Sequence, residues 1–174
     1  MGGHVGHRID KSICAVTVLA FSGFLVGIDA QRRVAGQAQT KQGIQASIKV
    51  GGQTYQSNEP GKCTYAPTAA IYQVVSELWS VQQSSEGRSL ALSLWKPKDG
   101  SATMITLSVS NGESSHQVNT VRGGGTTSGS GKVTFEKSGS GGTFTVDAKT
   151  ANGASISGTI RCDAIAPHIA EGGL

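Results

Sequence analysis

The sequence predicts a mainly β fold: an antiparallel β-sandwich or open barrel of about eight short strands with one short helix. Apolar and polar residues alternate along most segments, as in the run from Ile44 to Val50, which is typical of strands with one buried face. Turn sequences rich in glycine and asparagine separate these segments about every 8–12 residues. A chain of 174 residues is long enough for one domain of ordinary size.

The N-terminal segment predicts an export signal. Two basic residues precede an apolar run over residues 13–28, which matches the basic and apolar regions of a signal peptide. We expect residues 1–30 to form this signal, with cleavage after Ala30 or as late as Ala38. The alternative is an uncleaved membrane anchor, although the run is shorter than the roughly 20 residues that a spanning helix needs. We therefore expect no stable transmembrane span after cleavage.

The remainder of the chain divides into three parts. Residues 31–43 are polar and aperiodic, which predicts a flexible linker. Residues 44–163 carry the alternating pattern and are predicted to form the β domain. Residues 164–174 are predicted to form a tail.

One stretch within the domain predicts a helix. In Thr68–Trp79, the apolar residues Ile71, Val74, Val75 and Leu78 recur at spacings of three and four. A proline just before this stretch can begin a helix. The adjacent β-branched valines favour a strand instead, so a strand is the alternative.

The cysteines predict a disulfide. Cys14 lies in the predicted signal, so an exported chain keeps an even pair, Cys63 and Cys162, in an oxidising compartment. Closing a loop of about 100 residues would stabilise the fold by at most roughly 4.7 kcal/mol. The alternative is a two-cysteine metal site, which needs further ligands, and neither His116 nor His168 has a suitable spacing. We expect no metal and no other cofactor.

The charge distribution argues against nucleic acid as a partner. The formal net charge is +4, but four of the bases and two of the acids lie within residues 1–33. The remaining bases are scattered singly and form no basic stripe. The expected partners are an envelope lipid, a glycan or a protein.

Two patterns suggest chemistry, and neither predicts an enzyme. The segment Gly125–Lys132 resembles a phosphate-binding loop, but its first position is Thr126 and a strand is predicted after it in place of a helix. His116 could act as a general base, yet adjacent strand residues point to opposite faces, so Ser115 cannot pair with it. We expect a non-catalytic protein. The alternatives are a hydrolase with dispersed Ser, His and Asp residues, or an interaction or inhibitor module that presents the Gly123–Gly131 loop.

Four aromatic residues are the candidate ligand-binding residues: Trp95, Trp79, Tyr65 and Tyr72. Aromatic rings on a β surface stack on sugars or apolar ligands, while their polar tips form hydrogen bonds. The alternative is packing in the core, which is favoured for Trp79. Trp95 lies on the strand face opposite the Leu90–Leu94 stripe, so we expect it to be exposed.

The layout from Ile44 to Cys162 resembles the small surface lipoprotein antigens of mycobacteria. The shared features are an opening strand with a glycine-rich turn (IKVGGQTY), an early cysteine (GKCTY) and a last strand that ends in a cysteine (SGTIRCD). The resemblance implies a β-sandwich with one helix, a disulfide from Cys63 to Cys162 and a non-enzymatic role at the cell envelope, such as binding apolar molecules. This chain lacks the lipid-attachment cysteine after the apolar run.

Overall fold

A computed structural model describes residues 42–123 and 126–168, and every regular element in these ranges is a β-strand. The predicted signal peptide lies outside these residues, as does all but the end of the predicted linker. The eleven strands are β1 (Gln42–Val50), β2 (Gln53–Ser57), β3 (Pro60–Ile71), β4 (Val74–Ser85), β5 (Arg88–Pro97), β6 (Met104–Asn111), β7 (Ser114–Asn119), β8 (Ser130–Ser138), β9 (Gly141–Lys149), β10 (Ser155–Cys162) and β11 (Ala166–Pro167).

The strands form a nearly closed, barrel-like antiparallel sheet, as the mainly β prediction requires. Its strand order is β7-β6-β5-β4-β3-β1-β10-β9-β8, and each pair of neighbours is antiparallel. Strand β1 joins the two halves, because residues 42–43 pair with β3 and residues 44–50 pair with β10. At the open edges, Asn119 and Ser128 exchange two backbone hydrogen bonds of 2.7 and 2.8 Å. The two end strands β7 and β8 are thereby drawn together.

The core follows from the period-two pattern. Alternate residues of β1 point inward, and those of β4, β5, β6, β9 and β10 do the same across the interior. The largest fully buried side chains are Phe144, Ile44, Ile48, Leu90, Leu92, Ile105, Leu107, Ile156, Ile160, Val81, Val109 and Val118. Only one of these twelve is aromatic, so aliphatic side chains fill most of the interior.

The predicted helix over Thr68–Trp79 is wrong, because this stretch is the end of β3, a two-residue turn and the start of β4. Tyr72 and Gln73 form the turn with φ values of 46° and 68°, the left-handed conformation that a tight hairpin requires. Ile71 pairs with Val74 directly across it. The β-branched valines prefer this strand, and cross-strand pairing overrides the helical spacing.

The prediction of about eight strands is also too low. Strand β3 is not predicted because it contains two signals typical of turns, the Pro60-Gly61 pair at its start and Pro67 in its interior. Pro67 is accommodated by a bulge, since the β3–β4 register shifts between Ala66 and Ala69. Strand β11 is only two residues long and pairs in parallel with β3, so part of the predicted tail is hydrogen-bonded to the domain.

The disulfide prediction is confirmed: Cys63 and Cys162 are bonded, with 6.3 Å between their Cα atoms. The bond joins β3 to β10, the two strands that flank β1 in the sheet. It therefore ties the two halves of the sheet together where the chain passes from one to the other. A disulfide is compatible with an extracellular or periplasmic location.

A buried amide makes a second connection between the halves. Gln83 on β4 donates from Nε2 to the backbone carbonyls of Ile44, at 3.0 Å, and Glu59. Its Oε1 accepts a hydrogen bond of 3.3 Å from the hydroxyl of Tyr55 on β2. Gln83 therefore links β1, β2 and the β2–β3 connection to β4 through these hydrogen bonds.

Candidate ligand-binding cleft

A row of four aromatic rings runs from the core to one end of the barrel-like sheet. The ring centroids of Tyr65 and Trp79 are 4.8 Å apart, those of Trp79 and Phe135 are 5.7 Å apart, and those of Phe135 and Phe144 are 4.7 Å apart. Phe144 is only 1% exposed, whereas the other three rings are partly accessible. The row therefore begins in the core and reaches solvent at Tyr65.

The strand register explains why these rings meet. Tyr65 on β3 and Trp79 on β4 are direct cross-strand partners, so their side chains lie on the same face of the sheet. Phe135 and Phe144 are likewise partners on β8 and β9. The two pairs belong to different halves of the sheet and face each other across its interior. The rings therefore close one end of the core.

Glycine makes room for one of these rings. The ring of Phe135 lies across the backbone at Gly142, where a Cβ atom would come within 2.6 Å of its Cζ. Any larger residue at position 142 would push the ring out of its place in the row. The glycine-rich β8–β9 hairpin is thus required for the aromatic packing as well as for the turn.

Three of the rings, Tyr65, Trp79 and Phe135, line a cleft of about 590 Å³. Its other walls are the β8–β9 turn and the C-terminal segment, residues 163–168, in which β11 pairs directly with Thr64 and Tyr65 of β3. The lining residues are Tyr65, Pro67, Trp79, Phe135, Lys137, Gly139, Ser140, Gly141, Ile165, Ala166 and Pro167. Lys137 is the one charged side chain among these lining residues, so the cleft presents mostly rings, aliphatic groups and backbone.

Backbone hydrogen bonds hold the C-terminal segment in place. The N–H of Ile165 donates to the carbonyl of Ser140 at 2.9 Å, and the N–H of His168 donates to the carbonyl of Tyr65 at 2.8 Å. The hydroxyl of Thr64 and Nδ1 of His168 are hydrogen-bonded at 3.1 Å. Because Cys162 lies just before this segment, the disulfide anchors the same wall at its start.

The phenol of Tyr65, at the mouth of the cleft, has a raised pKa. Burial raises the pKa of Tyr65 above its usual value of 10.0, and the negative charge of Glu77 raises it further. The phenol is therefore neutral under physiological conditions and keeps its O–H as a donor. Lys137 adds a positive charge to the cleft lining, and Glu77 places a negative charge beside Tyr65.

The structure brings together two of the four predicted binding residues, Tyr65 and Trp79. Tyr72 lies in the β3–β4 turn and is 52% exposed. Trp95 is half-buried on the opposite face of the sheet, in one cross-strand row with Leu78 and Met104. Neither Tyr72 nor Trp95 lines the cleft.

Sequence reasoning missed Phe135 and Ile165 as cleft residues. The alternation of Val133 and Phe135 assigns both to a buried strand face, and no local signal shows that Phe135 lies at the end of that face. Ile165 falls in the predicted tail, which gave no sign of folding back on β3. Both positions depend on contacts between residues far apart in sequence.

The other candidate residues lie apart from the cleft. His116 on β7 is paired with Val109, and the neighbouring Ser115 is exposed on the other face, as strand alternation requires. Gly131 and Lys132, which belong to the segment that resembles a phosphate-binding loop, lie in strand β8, which begins at Ser130.

Within residues 42–123 and 126–168, no three His, Cys, Asp or Glu residues are grouped as metal ligands. In the same ranges, no helix has the length and apolar character needed to cross a membrane.

Fold and site together define an antiparallel, disulfide-bonded β domain with an aromatic cleft between the two halves of its sheet. No protein-family model, curated protein or solved structure matches this chain.

Proposed function

We propose that this protein is an exported, non-catalytic β domain that binds an apolar ligand in the aromatic cleft. The observation that carries the proposal is the row formed by Tyr65, Trp79 and Phe135 along a cavity of about 590 Å³. Small-molecule sites commonly have volumes of about 300–1,000 Å³ and an apolar lining with few polar groups. The cleft has this size and this lining.

The arrangement of the rings favours an apolar chain over a sugar. Successive ring planes in the row are tilted by 37° and 40°, so they form no single flat platform on which a pyranose could stack. The C-terminal segment contributes Ile165 and Pro167, which offer no hydrogen-bond donors from their side chains. An acyl or alkyl chain fits such walls because its burial needs apolar contact and no directional bonds.

The polar groups of the cleft suggest the other end of the ligand. Lys137 supplies a positive charge, and Tyr65 supplies a neutral phenol O–H. An amphiphile with a carboxylate or phosphate head could place its head near Lys137, away from the negative charge of Glu77 beside Tyr65, and its chain along the rings. We therefore take an anionic, single-chain amphiphile as the simplest ligand of this class.

The proposed location follows from two observations. The disulfide is compatible with an oxidising compartment, and the N-terminal residues have the pattern of an export signal. The resemblance to mycobacterial surface lipoprotein antigens points the same way, toward a non-enzymatic role at the cell envelope. A protein that binds apolar molecules there would shield them from water.

Isothermal titration calorimetry with dodecanoate below its micellar concentration tests the proposal. We expect saturable binding with one site per chain and a negative heat-capacity change. The variant F135A should bind at least roughly tenfold more weakly, since burial of a phenylalanine contributes about 1.5–3 kcal/mol. The control variant W95F changes an aromatic outside the cleft and should keep the wild-type affinity.

Two results would contradict the proposal. One is the absence of any heat of binding from the folded wild-type chain at each of several temperatures, since the enthalpy of apolar binding can be zero at one of them. The other is an equal loss of affinity in F135A and W95F, since that would place the ligand elsewhere. Circular dichroism of each variant ensures that only folded protein is compared.

A further inference from the structure

The tip of the β3–β4 hairpin, residues 70–75, carries exposed apolar side chains. Tyr72 is 52% exposed and Val75 is 49% exposed, and they are the exposed large hydrophobic residues of the described chain. Ile71 and Val74 beside them are partly accessible. Isolated apolar residues on a surface need no explanation, but a cluster at a projecting tip indicates a contact surface.

The backbone of this tip is held in an unfavourable conformation. Both turn residues have positive φ, 46° at Tyr72 and 68° at Gln73, where tight hairpin turns normally use asparagine or glycine. Such a conformation is strained for any residue that has a side chain. Tyrosine is an unfavourable residue for this turn position, and it places an exposed aromatic side chain at the tip.

Basic residues flank the tip on both sides. The backbone N–H of Lys98 donates to the carbonyl of Val75 at 2.9 Å, and its Nζ donates to the hydroxyl of Thr68 at 3.2 Å. On the other side, Gly123 lies against the side chain of Tyr72, where a Cβ atom would be 3.1 Å from that of the tyrosine. Arg122 precedes this glycine and is exposed.

The neighbouring acids are directed elsewhere. Glu77 pairs across the strands with Lys96, and its charge acts on Tyr65 at the mouth of the cleft. Asp99 accepts a hydrogen bond of 2.9 Å from the backbone of Ser101 within its own turn. Lys98 is hydrogen-bonded to both strands of the hairpin, and Arg122 adjoins the glycine that lies against Tyr72.

We propose that this tip docks on the surface of a lipid bilayer that contains anionic lipids. Tyrosine is favoured at the boundary between headgroups and acyl chains, and apolar side chains can bury their surface there. Each basic residue near an anionic surface contributes about 1 kcal/mol of attraction. The combination of an exposed aromatic tip with a basic residue on each side fits such a surface by charge and by polarity.

The position of the tip connects it with the cleft. Strands β3 and β4 run directly from the tip to Tyr65 and Trp79, and Pro67 between them lines the cleft. Docking would therefore bring the aromatic end of the domain toward the lipid from which an amphiphile could enter. The docking itself does not depend on the proposed ligand.

A tryptophan reporter at the tip tests the docking in the full-length chain. The variant Y72W, made together with W79F and W95F, has its only tryptophan at the tip. The matched control is E86W in the same background, because Glu86 lies in the exposed β4–β5 turn at the opposite end of β4. Both are mixed with vesicles of neutral phosphatidylcholine, with and without about 30 mol% phosphatidylglycerol.

We expect the emission of the tip reporter to shift to shorter wavelength and to be quenched by brominated lipid, but only with anionic vesicles. The control reporter should do neither, because its turn lies at the opposite end of β4. The added pair K98Q and R122Q should weaken vesicle binding about 25-fold, at about fivefold per charge. The pair K132Q and K149Q, on strands away from the tip, should leave it unchanged.

The proposal is overturned if the tip reporter is insensitive to vesicles, or if both reporters respond equally. A response of equal strength to neutral vesicles would also overturn it, since it removes the role of the basic residues. These outcomes are separate from the dodecanoate titration, which contains no vesicles. Failure of one experiment therefore leaves the other standing.

Discussion

Tyr65 and Trp79 lie directly opposite each other on β3 and β4, with their ring centroids 4.8 Å apart, and they form the wall of the cleft nearest the hairpin tip. Their partners Phe135 and Ile165 come from the other half of the sheet and from the C-terminal segment. The site therefore exists only when the sheet is nearly closed. Stability of the closed fold and ligand binding are linked for this reason.

Removal of the disulfide should lower the free energy of unfolding. The bonded cysteines are separated by 99 residues, and cross-linking a loop of this length stabilises a fold by about 4.7 kcal/mol at most. We expect C63A/C162A to lose about 2–4 kcal/mol in urea unfolding monitored by circular dichroism. A loss below about 0.5 kcal/mol, within the range of ordinary surface substitutions, would show that the bond contributes little to closure.

Replacement of Gln83 should destabilise the domain more than replacement of its neighbour. The variant Q83L leaves the Tyr55 hydroxyl and the carbonyls of Ile44 and Glu59 without their partner, at about 1–3 kcal/mol for each group that stays buried. We expect a loss of about 2–4 kcal/mol in urea unfolding. Gln82 is exposed on the other face, so Q82L should change stability by less than about 0.5 kcal/mol. Equal effects of the two variants would contradict the role of the buried network.

Two tyrosines should make the fold sensitive to high pH. Burial raises the pKa of both Tyr55 and Tyr65 above 10.0, and the nearby Glu77 adds to the effect at Tyr65. The folded state therefore holds the phenol protons more tightly than the unfolded state. The resulting stability is complete below the unfolded pKa and is lost as the pH rises through the folded pKa. Urea unfolding should show stability falling above about pH 10.

The control for this pH dependence is the double variant Y55F/Y65F, which has no ionisable group at either position. Its free energy of unfolding should fall less steeply above about pH 10 than that of the wild type. If the free energy of unfolding falls equally steeply with pH in Y55F/Y65F and in the wild type, ionisation of Tyr55 and Tyr65 is not the cause of the fall.

Relief of the strained turn should stabilise the fold. The pair Y72N/Q73G places asparagine and glycine where both residues have positive φ, the preferred sequence of a two-residue hairpin turn. We expect the thermal midpoint to rise, by an amount corresponding to about 1 kcal/mol or more. The same substitution at the tip should abolish vesicle binding. A variant less stable than the wild type would argue that the tyrosine itself holds the hairpin together.

The sequence predicted those features that depend on local pattern. The alternation of Ile44, Ala46, Ile48 and Val50 marks β1, and the parity of the cysteines leaves one pair to be bonded. The helix prediction failed because Tyr72 and Gln73 are not typical turn residues. The sequence therefore has no signal that divides the segment from Ile71 to Leu78 between two strands. The spacing of its apolar residues fits a helix equally well, and only pairing with neighbouring strands decides between the two.

The cleft could be predicted only in part. Tyr65 and Trp79 were recognised as aromatic candidates, but their facing partners lie more than 50 residues further along the chain. The register of β8 with β9 and the return of the C-terminal segment to β3 determine which rings meet. Neither has a local sequence signal, since both are set by packing across the interior.

The most direct test of the proposed function uses the fluorescence of Trp79. In W95F the remaining native tryptophan is Trp79, which lines the cleft, whereas in W79F it is Trp95 on the outer face. Titration of W95F with dodecanoate should change the emission saturably, with the dissociation constant that calorimetry gives, and should protect the ring from iodide. The emission in W79F should stay constant. If Trp79 is unaffected by dodecanoate at concentrations that saturate the wild-type chain, the ligand does not bind in the aromatic cleft.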